Sequence, residues 1–180
     1  TLEESIQLLD SVKDPSPAVT ARDYCMLTLL LNCGMRVSEL VGIDLGDIRD
    51  NTLRLLGKGN KERMVYLNPA CLSALENYLK FRKQPETGDD RNALFLSAQH
   101  RRMTTRRVEQ IVEKYLKACG LDGRGYSPHK LRHTAATLMY QHGGVDIRAL
   151  KEILGHANIG TTEIYTHISN QMIEQAANAS

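Results

Sequence analysis

A chain of 180 residues with 42% hydrophobic and 24% charged residues has the composition of one globular domain with a real core. The net charge is only +2, so composition alone does not indicate nucleic-acid binding, although the basic residues are clustered. The longest apolar run, Met26 to Leu31, is too short to span a bilayer, and the first residues do not form a signal peptide. The four cysteines include no CxxC pair, which favours free core thiols in a reducing compartment over a disulfide framework.

The first part of the chain predicts two helices. Thr1 and Glu4 form a capping box for a short amphipathic helix, which the proline-rich residues 14–17 interrupt. A second helix from about Ala21 to Cys33 is apolar on most faces and should therefore be buried. Gly34 ends this helix.

Arg36 follows at the opening of a brief helix, Val37 to Val41. Most arginines are ordinary surface residues. A place directly after a buried helix and its terminating glycine instead favours a fixed, functional arginine. Glu39 lies three residues further on and could brace the guanidinium of Arg36 or that of Arg132. A solvated carboxylate is the competing interpretation of Glu39.

Residues 51–56 and 62–67 predict the two strands of a β-hairpin with glycines in its loop. The loop places Lys58 at an exposed tip. Lys58 is either a solubilising turn residue or a lysine that enters a groove and gives a proton to a leaving group. Lys61, in the same loop, is a candidate for DNA contact.

Two further helices and one strand are predicted in the middle of the chain. The first helix runs from Pro69 to about Lys83 and the second, capped by Thr104, runs to Cys119. A polar loop follows the first helix, and residues 93–96 are a candidate for a third short strand. The side chains expected to face inward from the first helix are Leu72, Leu75, Tyr78 and Leu79.

Four arginines crowd the start of the second of these helices. They are a solvated face on one interpretation and contacts to the DNA backbone on the other, and a helix facing a groove of DNA is also plausible. The four residues are Arg101, Arg102, Arg106 and Arg107.

The stretch at residues 126–167 holds five of the six histidines. Ser127 and Pro128 predict the start of a helix that runs to about residue 142. On that helix His129, Arg132 and His133 project near one another over the first turn, where backbone N–H groups are unpaired and the helix dipole is positive. Two ring nitrogens and a guanidinium at a helix start describe an anion site, most naturally a phosphate site.

The same stretch contains a histidine in a turn and a tyrosine, both of which the fold can bring close to the same phosphate. A helix from Asp146 ends at Gly155, His156 follows in the turn, and Tyr165 comes nine residues later. A zinc site is the main competing account of the histidines, because two of them have the i, i+4 spacing of a metal pair.

The two histidines with the spacing of a zinc pair are His129 and His133. The residue after the first histidine is Lys130 instead of the glutamate of a metalloprotease, and Arg132 lies between the two. A cation is poorly placed there. We therefore expect no metal site and no cofactor.

Four motifs together resemble the tyrosine recombinases, the phage integrase and Xer class. They are GMRVSEL at Gly34, GKGNKER at Gly57, HKLRH at His129 and LGHANIGTTEIYTH at Leu154. They occur in the family's order and at about its spacing. The resemblance implies an α+β fold that is predominantly α-helical, like that of the DNA breaking-rejoining enzymes, with a small antiparallel sheet at one edge. It implies that residues 1–180 form the catalytic domain of a longer parent, without the family's helical N-terminal domain.

The resemblance also assigns chemistry. Two arginines hold the phosphate, a lysine is the general acid, two histidines transfer protons or bind the phosphate, and a tyrosine attacks phosphorus. The attack gives a 3′-phosphotyrosyl link and a free 5′-hydroxyl, and it needs neither metal nor ATP. The six residues are Arg36, Lys58, His129, Arg132, His156 and Tyr165.

The partners implied are double-stranded DNA and further copies of the chain in a tetrameric synapse, with a monomer in the absence of DNA and a location in the cytoplasm at the nucleoid. A type IB topoisomerase, a DNA-binding regulator without catalysis and a metalloprotein are the alternatives. The target site, and the choice between a mobile-element integrase and a chromosome-dimer resolvase, stay open.

Overall fold

The computed structural model of the chain describes residues 2–85 and 88–123. Within these ranges the fold is mainly helical, with one small antiparallel sheet, as the sequence predicts. The helices are α1 (Leu2–Asp10), α2 (Pro17–Cys33), α3 (Val37–Val41), α4 (Pro69–Phe81) and α5 (Thr105–Ala118), and the strands are β1 (Ile48–Arg49), β2 (Thr52–Leu56) and β3 (Glu62–Tyr66).

The central helix α2 begins earlier than the apolar pattern indicates. The Ser16 side chain accepts a 3.3 Å hydrogen bond from the backbone N–H of Val19, and Pro17 occupies the first turn. A serine cap followed by proline is a strong helix start, so the proline-rich run both ends the preceding segment and begins this helix. The helix ends at Gly34, whose φ of 63° lies in the left-handed region that favours glycine.

The core forms where α2 packs against α4. A polar contact joins the end of one helix to the start of the other: Asn68 Nδ2 donates to Asn32 Oδ1 at 3.1 Å, while Asn68 Oδ1 caps α4 by accepting from the N–H of Cys71. On α4, Tyr78 is buried as expected, but Leu79 is 42% exposed. The prediction that Leu79 faces inward is therefore wrong, because consecutive residues of a helix diverge by about 100° and Tyr78 already points to the core.

The sheet has the order β1-β2-β3, and all pairings are antiparallel. The predicted hairpin is confirmed as β2 and β3, with Leu53 opposite Val65 and Leu55 opposite Arg63. Leu53 and Leu55 are buried because alternate residues of a strand face the core.

The third strand is not where the sequence predicts it. Residues 93–96 form only isolated bridges, from Ala93 to Asp44 and from Leu96 to Arg102, and β1 completes the sheet instead. The apolar run is nevertheless fully buried, and its backbone is tied to the core through the hydroxyl of Tyr78, which donates to the carbonyl of Leu94 at 2.9 Å.

Helix α5 agrees closely with its prediction. Thr104 Oγ1 caps it by accepting from the N–H of Arg107 at 3.1 Å. Its inward side chains are all buried; they are Val108, Ile111, Val112, Tyr115 and Leu116. Among the residues that the structure describes, no helix has the length and apolarity needed to cross a membrane.

Candidate active site and nucleic-acid interface

Arg36 sits at the junction between two helices and is the first of the predicted catalytic residues. Gly34 turns the chain out of α2, and Met35 is completely buried, so the backbone is anchored immediately before the arginine. Arg36 then forms the N-terminal boundary of α3 in an extended conformation, with φ −76° and ψ 153°. Its side chain is exposed. A rigid backbone with an outward guanidinium suits a residue that must hold an external anion.

Glu39 is the buried partner of this junction, with only 3% of its surface exposed. Its Oε1 accepts a 2.9 Å hydrogen bond from the backbone N–H of Arg36. The guanidinium of Arg63 binds the same carboxylate through both oxygens, with Nη2 to Oε1 at 3.0 Å and Nε to Oε2 at 3.1 Å. Glu39 is thus not a solvated carboxylate, and within residues 2–85 and 88–123 the guanidinium that it contacts is that of Arg63. The alternative partner Arg132 lies outside these residues.

The ionisation of Glu39 follows from these contacts. Burial by itself opposes the charged form, and it is the largest single influence on the carboxyl. The hydrogen bond from Arg63 and the one from the backbone of Arg36 act in the opposite direction. Together with the positive charges of both arginines they outweigh burial, so the pKa of Glu39 is lowered from its ordinary value of 4.5. Glu39 is therefore an ionised, desolvated anchor.

Lys58 lies in the loop that joins β2 to β3. The structure describes its backbone, which belongs to a short 3₁₀ turn over Lys58–Asn60 containing Gly59 at φ 74°; its side chain lies outside what is described. The base of the loop is closed by a 2.8 Å hydrogen bond from the N–H of Gly57 to the carbonyl of Lys61. Lys61 itself is exposed at the end of the loop, as a contact to an external partner requires.

The base of this loop lies against the Glu39 carboxylate. A Cβ placed on Gly57 would stand 3.8 Å from Glu39 Oε2 and 3.4 Å from the carbonyl oxygen of Lys61. The junction that presents Arg36 and the loop that carries Lys58 therefore meet at one buried acid. This brings together two of the predicted catalytic motifs.

The guanidinium of Arg102 binds other groups of the protein. Nη2 forms an ion pair with Asp44, and Nη1 donates to the carbonyls of Val41 at 2.9 Å and Ile43 at 3.3 Å. These three acceptors come from the end of α3 and the turn that follows it. The structure favours a role for Arg102 in holding that turn over a role in contacting DNA.

The other three arginines of the cluster are exposed. Arg107 Nη1 makes one long contact, 3.4 Å, to Gln110 Oε1, and for Arg101 and Arg106 no side-chain partner occurs among the described residues. Arg101 and Arg107 also line a groove of about 650 Å³ between the start of α2 and the start of α5. These charges are available to an external anion.

Arg63 is a residue of this site that the sequence analysis did not single out, although it binds the buried Glu39. The hairpin register could have identified it, because pairing with the buried Leu55 places residue 63 on the inward face of the sheet. An arginine on an inward face needs a carboxylate nearby. The identity of that carboxylate depended on tertiary packing, which brings α3 beneath the hairpin.

Four of the predicted catalytic residues lie outside the described ranges. They are His129, Arg132, His156 and Tyr165. His133, which has the i, i+4 spacing of a zinc pair with His129, also lies outside. Across residues 2–85 and 88–123, no group of three or more His, Cys, Asp or Glu side chains is placed to hold a metal ion.

Sequence comparison matches residues 1–172 to the model of the phage integrase family. A tyrosine recombinase XerC from Caldanaerobacter subterraneus subsp. tengcongensis is 52% identical over 179 residues, which cover 99% of this chain and 49% of that protein. A tyrosine recombinase XerD from Proteus mirabilis is 37% identical over 175 residues, covering 96% and 56% respectively. The chain thus spans about half the length of the curated relatives that it matches.

Solved structures of recombinases share the fold of this chain. A post-cleavage complex of the XerH site-specific recombinase with a palindromic difH substrate superposes with a TM-score of 0.67 at 31% identity, covering 97% of this chain and 51% of that one. The catalytic core of the lambda integrase superposes with a TM-score of 0.59 at 21% identity, covering 78% and 85%. At that lower identity the likeness concerns the fold alone.

Proposed function

Because this chain belongs to the phage integrase family, we propose that it supplies the catalytic domain of a site-specific DNA recombinase that cuts and rejoins strands through a covalent tyrosine link. The observation that carries the proposal is the meeting of two catalytic motifs at one buried acid. Glu39 holds the backbone of Arg36, and the loop that bears Lys58 starts beside the same carboxylate. A rigid arginine and a lysine on a nearby hairpin loop suit a phosphodiester.

The reaction is a displacement at phosphorus. The phenolic oxygen of Tyr165 forms a bond to phosphorus, the bond from phosphorus to the 5′-oxygen breaks, and Lys58 gives the proton that this oxygen needs to leave as a hydroxyl. The phosphodiester is exchanged for a phosphotyrosine, so bond energy is retained. Attack by a 5′-hydroxyl reverses the sequence and rejoins the strand without ATP.

The remaining catalytic residues stabilise charge. Arg36 and Arg132 hold the non-bridging oxygens, on which negative charge increases in the transition state, and one such donor contributes on the order of 3 kcal/mol. His129 and His156 transfer the proton of the nucleophile or donate to the phosphate. None of these roles requires a metal ion.

Double-stranded DNA is the proposed substrate and partner. One solved relative, at 31% identity, is a recombinase in complex with DNA: XerH with difH. For this chain, the exposed Arg101, Arg106 and Arg107 supply positive charge for the backbone, and Lys61 supplies a further cation in the hairpin loop. Copies of the chain assemble on DNA into a tetrameric synapse and separate without it. A DNA substrate places the protein at the nucleoid, in the cytoplasm.

The alternative functions differ from strand exchange in what they do to DNA. A type IB topoisomerase would also form a phosphotyrosine but would relax supercoils without exchanging partners. A DNA-binding regulator would bind and never become covalently attached. The curated relatives at 52% and 37% identity carry the name tyrosine recombinase, which favours strand exchange.

The decisive experiment traps the covalent intermediate. The protein that contains this chain is incubated with a nicked target duplex, and the products are separated on a denaturing gel. We expect a DNA-linked protein band that persists in EDTA and is absent with Tyr165→Phe. Tyr66→Phe is the matched control, because Tyr66 is 65% exposed and lies outside the proposed machinery. An adduct that survives Tyr165→Phe would show that another residue is the nucleophile.

A further inference from the structure

We propose that Arg63 is a positioning residue for this reaction, which ties the hairpin loop of Lys58 to the carboxylate that also holds the backbone of Arg36. The inference rests on the proposed function. Arg63 makes no contact with the reacting atoms in this scheme. It acts through Glu39, and its effect is on where the proton donor stands.

The geometry of the Arg63–Glu39 contact is that of a directional link. Two separate N–H donors of the guanidinium reach two separate carboxylate oxygens, at 3.0 and 3.1 Å. Such a paired contact fixes orientation as well as distance, which a single lysine ammonium cannot do. Arg63 lies on β3, directly after the strand residue that pairs with Leu56 and close to the loop. The link therefore holds the hairpin near the point where the loop leaves it.

The end of β2 also lies near the acid. A Cβ placed on Gly57 would be in ordinary van der Waals contact with Glu39 Oε2, at 3.8 Å, and with the carbonyl oxygen of Lys61, at 3.4 Å. The base of the loop is thus beside the carboxylate and is closed by the hydrogen bond from Gly57 to Lys61. Replacing Arg63 removes the ion pair that links β3 to the carboxylate beside the loop.

The two partners of Glu39 have separable effects. The N–H of Arg36 donates to Oε1 at the start of α3, through a contact between residues only three apart in sequence. That contact does not pass through the hairpin, so Arg36 keeps its anchor when Arg63 is replaced. The loss of Arg63 should consequently disturb Lys58 and spare Arg36, whereas the loss of Glu39 should disturb both.

A second arginine of the same hairpin provides a matched control. Arg54 lies on β2, facing away from Glu39, and pairs with Asp47 at 2.8 Å and Glu62 at 3.1 Å. Its side chain is 51% exposed, close to the 42% of Arg63. Arg54→Met removes an arginine and its ion pairs from the hairpin without touching Glu39. If loss of any hairpin ion pair lowers activity by destabilising the hairpin, both variants should show the same loss.

The test measures single-turnover cleavage of a nicked duplex by the protein that contains this chain. Arg63→Met should lower the cleavage rate at saturating DNA by about 10- to 100-fold, because a donor misplaced by about 1 Å loses that much. DNA affinity should stay within about twofold of the parent, as expected for a change in placement. Arg54→Met should leave both quantities near those of the parent.

A substrate with sulfur at the 5′-bridging position separates this role from a merely structural one. Sulfur leaves without a proton, so the substrate bypasses the general acid. Arg63→Met should cleave it nearly as fast as the parent does, as should Lys58→Ala. Glu39→Ala should be rescued less, because Arg36 also loses its anchor. The double variant Lys58→Ala/Arg63→Met should be no slower on normal DNA than Lys58→Ala alone.

Each outcome decides between the proposals. If the parent forms no DNA adduct, the proposed function fails. If the parent cleaves and Lys58→Ala is rescued, but Arg63→Met is either unimpaired or not rescued by sulfur, the role of Arg63 is overturned and the function stands. If Arg63→Met does not fold, as judged by its melting curve, Arg63→Lys replaces it. That variant keeps the charge without the paired contact and should show a smaller rate loss that sulfur also restores; a rate equal to the parent's would refute the role.

Discussion

The hydroxyl of Tyr115, on α5, donates a 2.6 Å hydrogen bond to Oδ2 of Asp23, on α2, and both residues are almost completely buried. The other oxygen of Asp23 binds Arg22, with Nη2 at 2.9 Å, and Arg22 Nη1 reaches the carbonyl of Leu96 at 3.2 Å. Burial and the neighbouring carboxylate raise the pKa of Tyr115, so the hydroxyl remains a donor. This cluster joins three segments of the core.

Removing the hydroxyl should destabilise the protein. In Tyr115→Phe the buried Oδ2 of Asp23 loses its partner, which costs about 1–3 kcal/mol in free energy of unfolding. Tyr66→Phe removes the same atom from an exposed ring and should change that free energy by less than about 0.5 kcal/mol. Urea unfolding of both variants measures the difference. Equal stability of the two would contradict a stabilising role for the buried bond.

The carboxyl of Glu39 should titrate below its ordinary value of 4.5, because Arg63 and the N–H of Arg36 favour its charged form more than burial opposes it. A depressed folded pKa adds stability that is present above the unfolded pKa and is lost as pH falls through the folded one. In Arg63→Met burial should dominate, so the pKa of Glu39 should rise. Carbon-detected NMR titration of the carboxyl, with Arg54→Met as control, measures both values. An unchanged pKa in Arg63→Met would show that the ion pair is not what keeps Glu39 charged.

The helices and the hairpin around the site could be predicted from short-range sequence patterns. The cap at Thr104 and the inward stripe of α5 required only sequence spacing, and the glycine loop with alternating leucines predicted the hairpin. The position of Arg36 after Gly34 likewise followed from a helix end. These features depend on residues a few positions apart, which is why one sequence reveals them.

Features that depend on distant partners could not be predicted. Residues 93–96 have the composition of a strand, but no continuous ladder forms. Their backbone groups bond to the backbone of Ile43 and Met103. They also bond to the side chains of Tyr78, Arg82 and Arg22. Similarly, nothing local distinguishes Arg102 from its neighbours. Asp44 lies far away in sequence, and only the folded chain brings it beside that guanidinium.

The end of the chain supports a prediction about assembly. Residues 169–177 carry Met172, Ile173 and Ala176, a narrow apolar stripe on a segment too short to form a stable helix alone. The family resemblance implies that this tail packs on a neighbouring copy bound to DNA. Deleting residues 171–180 should therefore spare binding to one half-site, weaken cooperative binding to two, and lower cleavage at Tyr165. Gel-shift titrations on one and two half-sites measure the first two effects, and unchanged cooperativity together with unchanged cleavage would refute the prediction.

The arginine cluster allows a final prediction, in which neighbouring residues of the same type respond oppositely. Arg102→Met should lower the free energy of unfolding, because Asp44 loses its ion pair and the carbonyl of Val41 loses a donor. Arg106→Met and Arg107→Met should leave that free energy within about 0.5 kcal/mol, because these side chains are exposed. They should instead weaken DNA binding by a similar factor on every sequence, and each should reduce the slope of log affinity against log salt by about 1 if it contacts a phosphate. Urea unfolding and binding titrations over a range of salt concentrations measure the two responses. A salt slope that falls in Arg102→Met but not in the other two variants would reverse the assignment and place the DNA contact at Arg102.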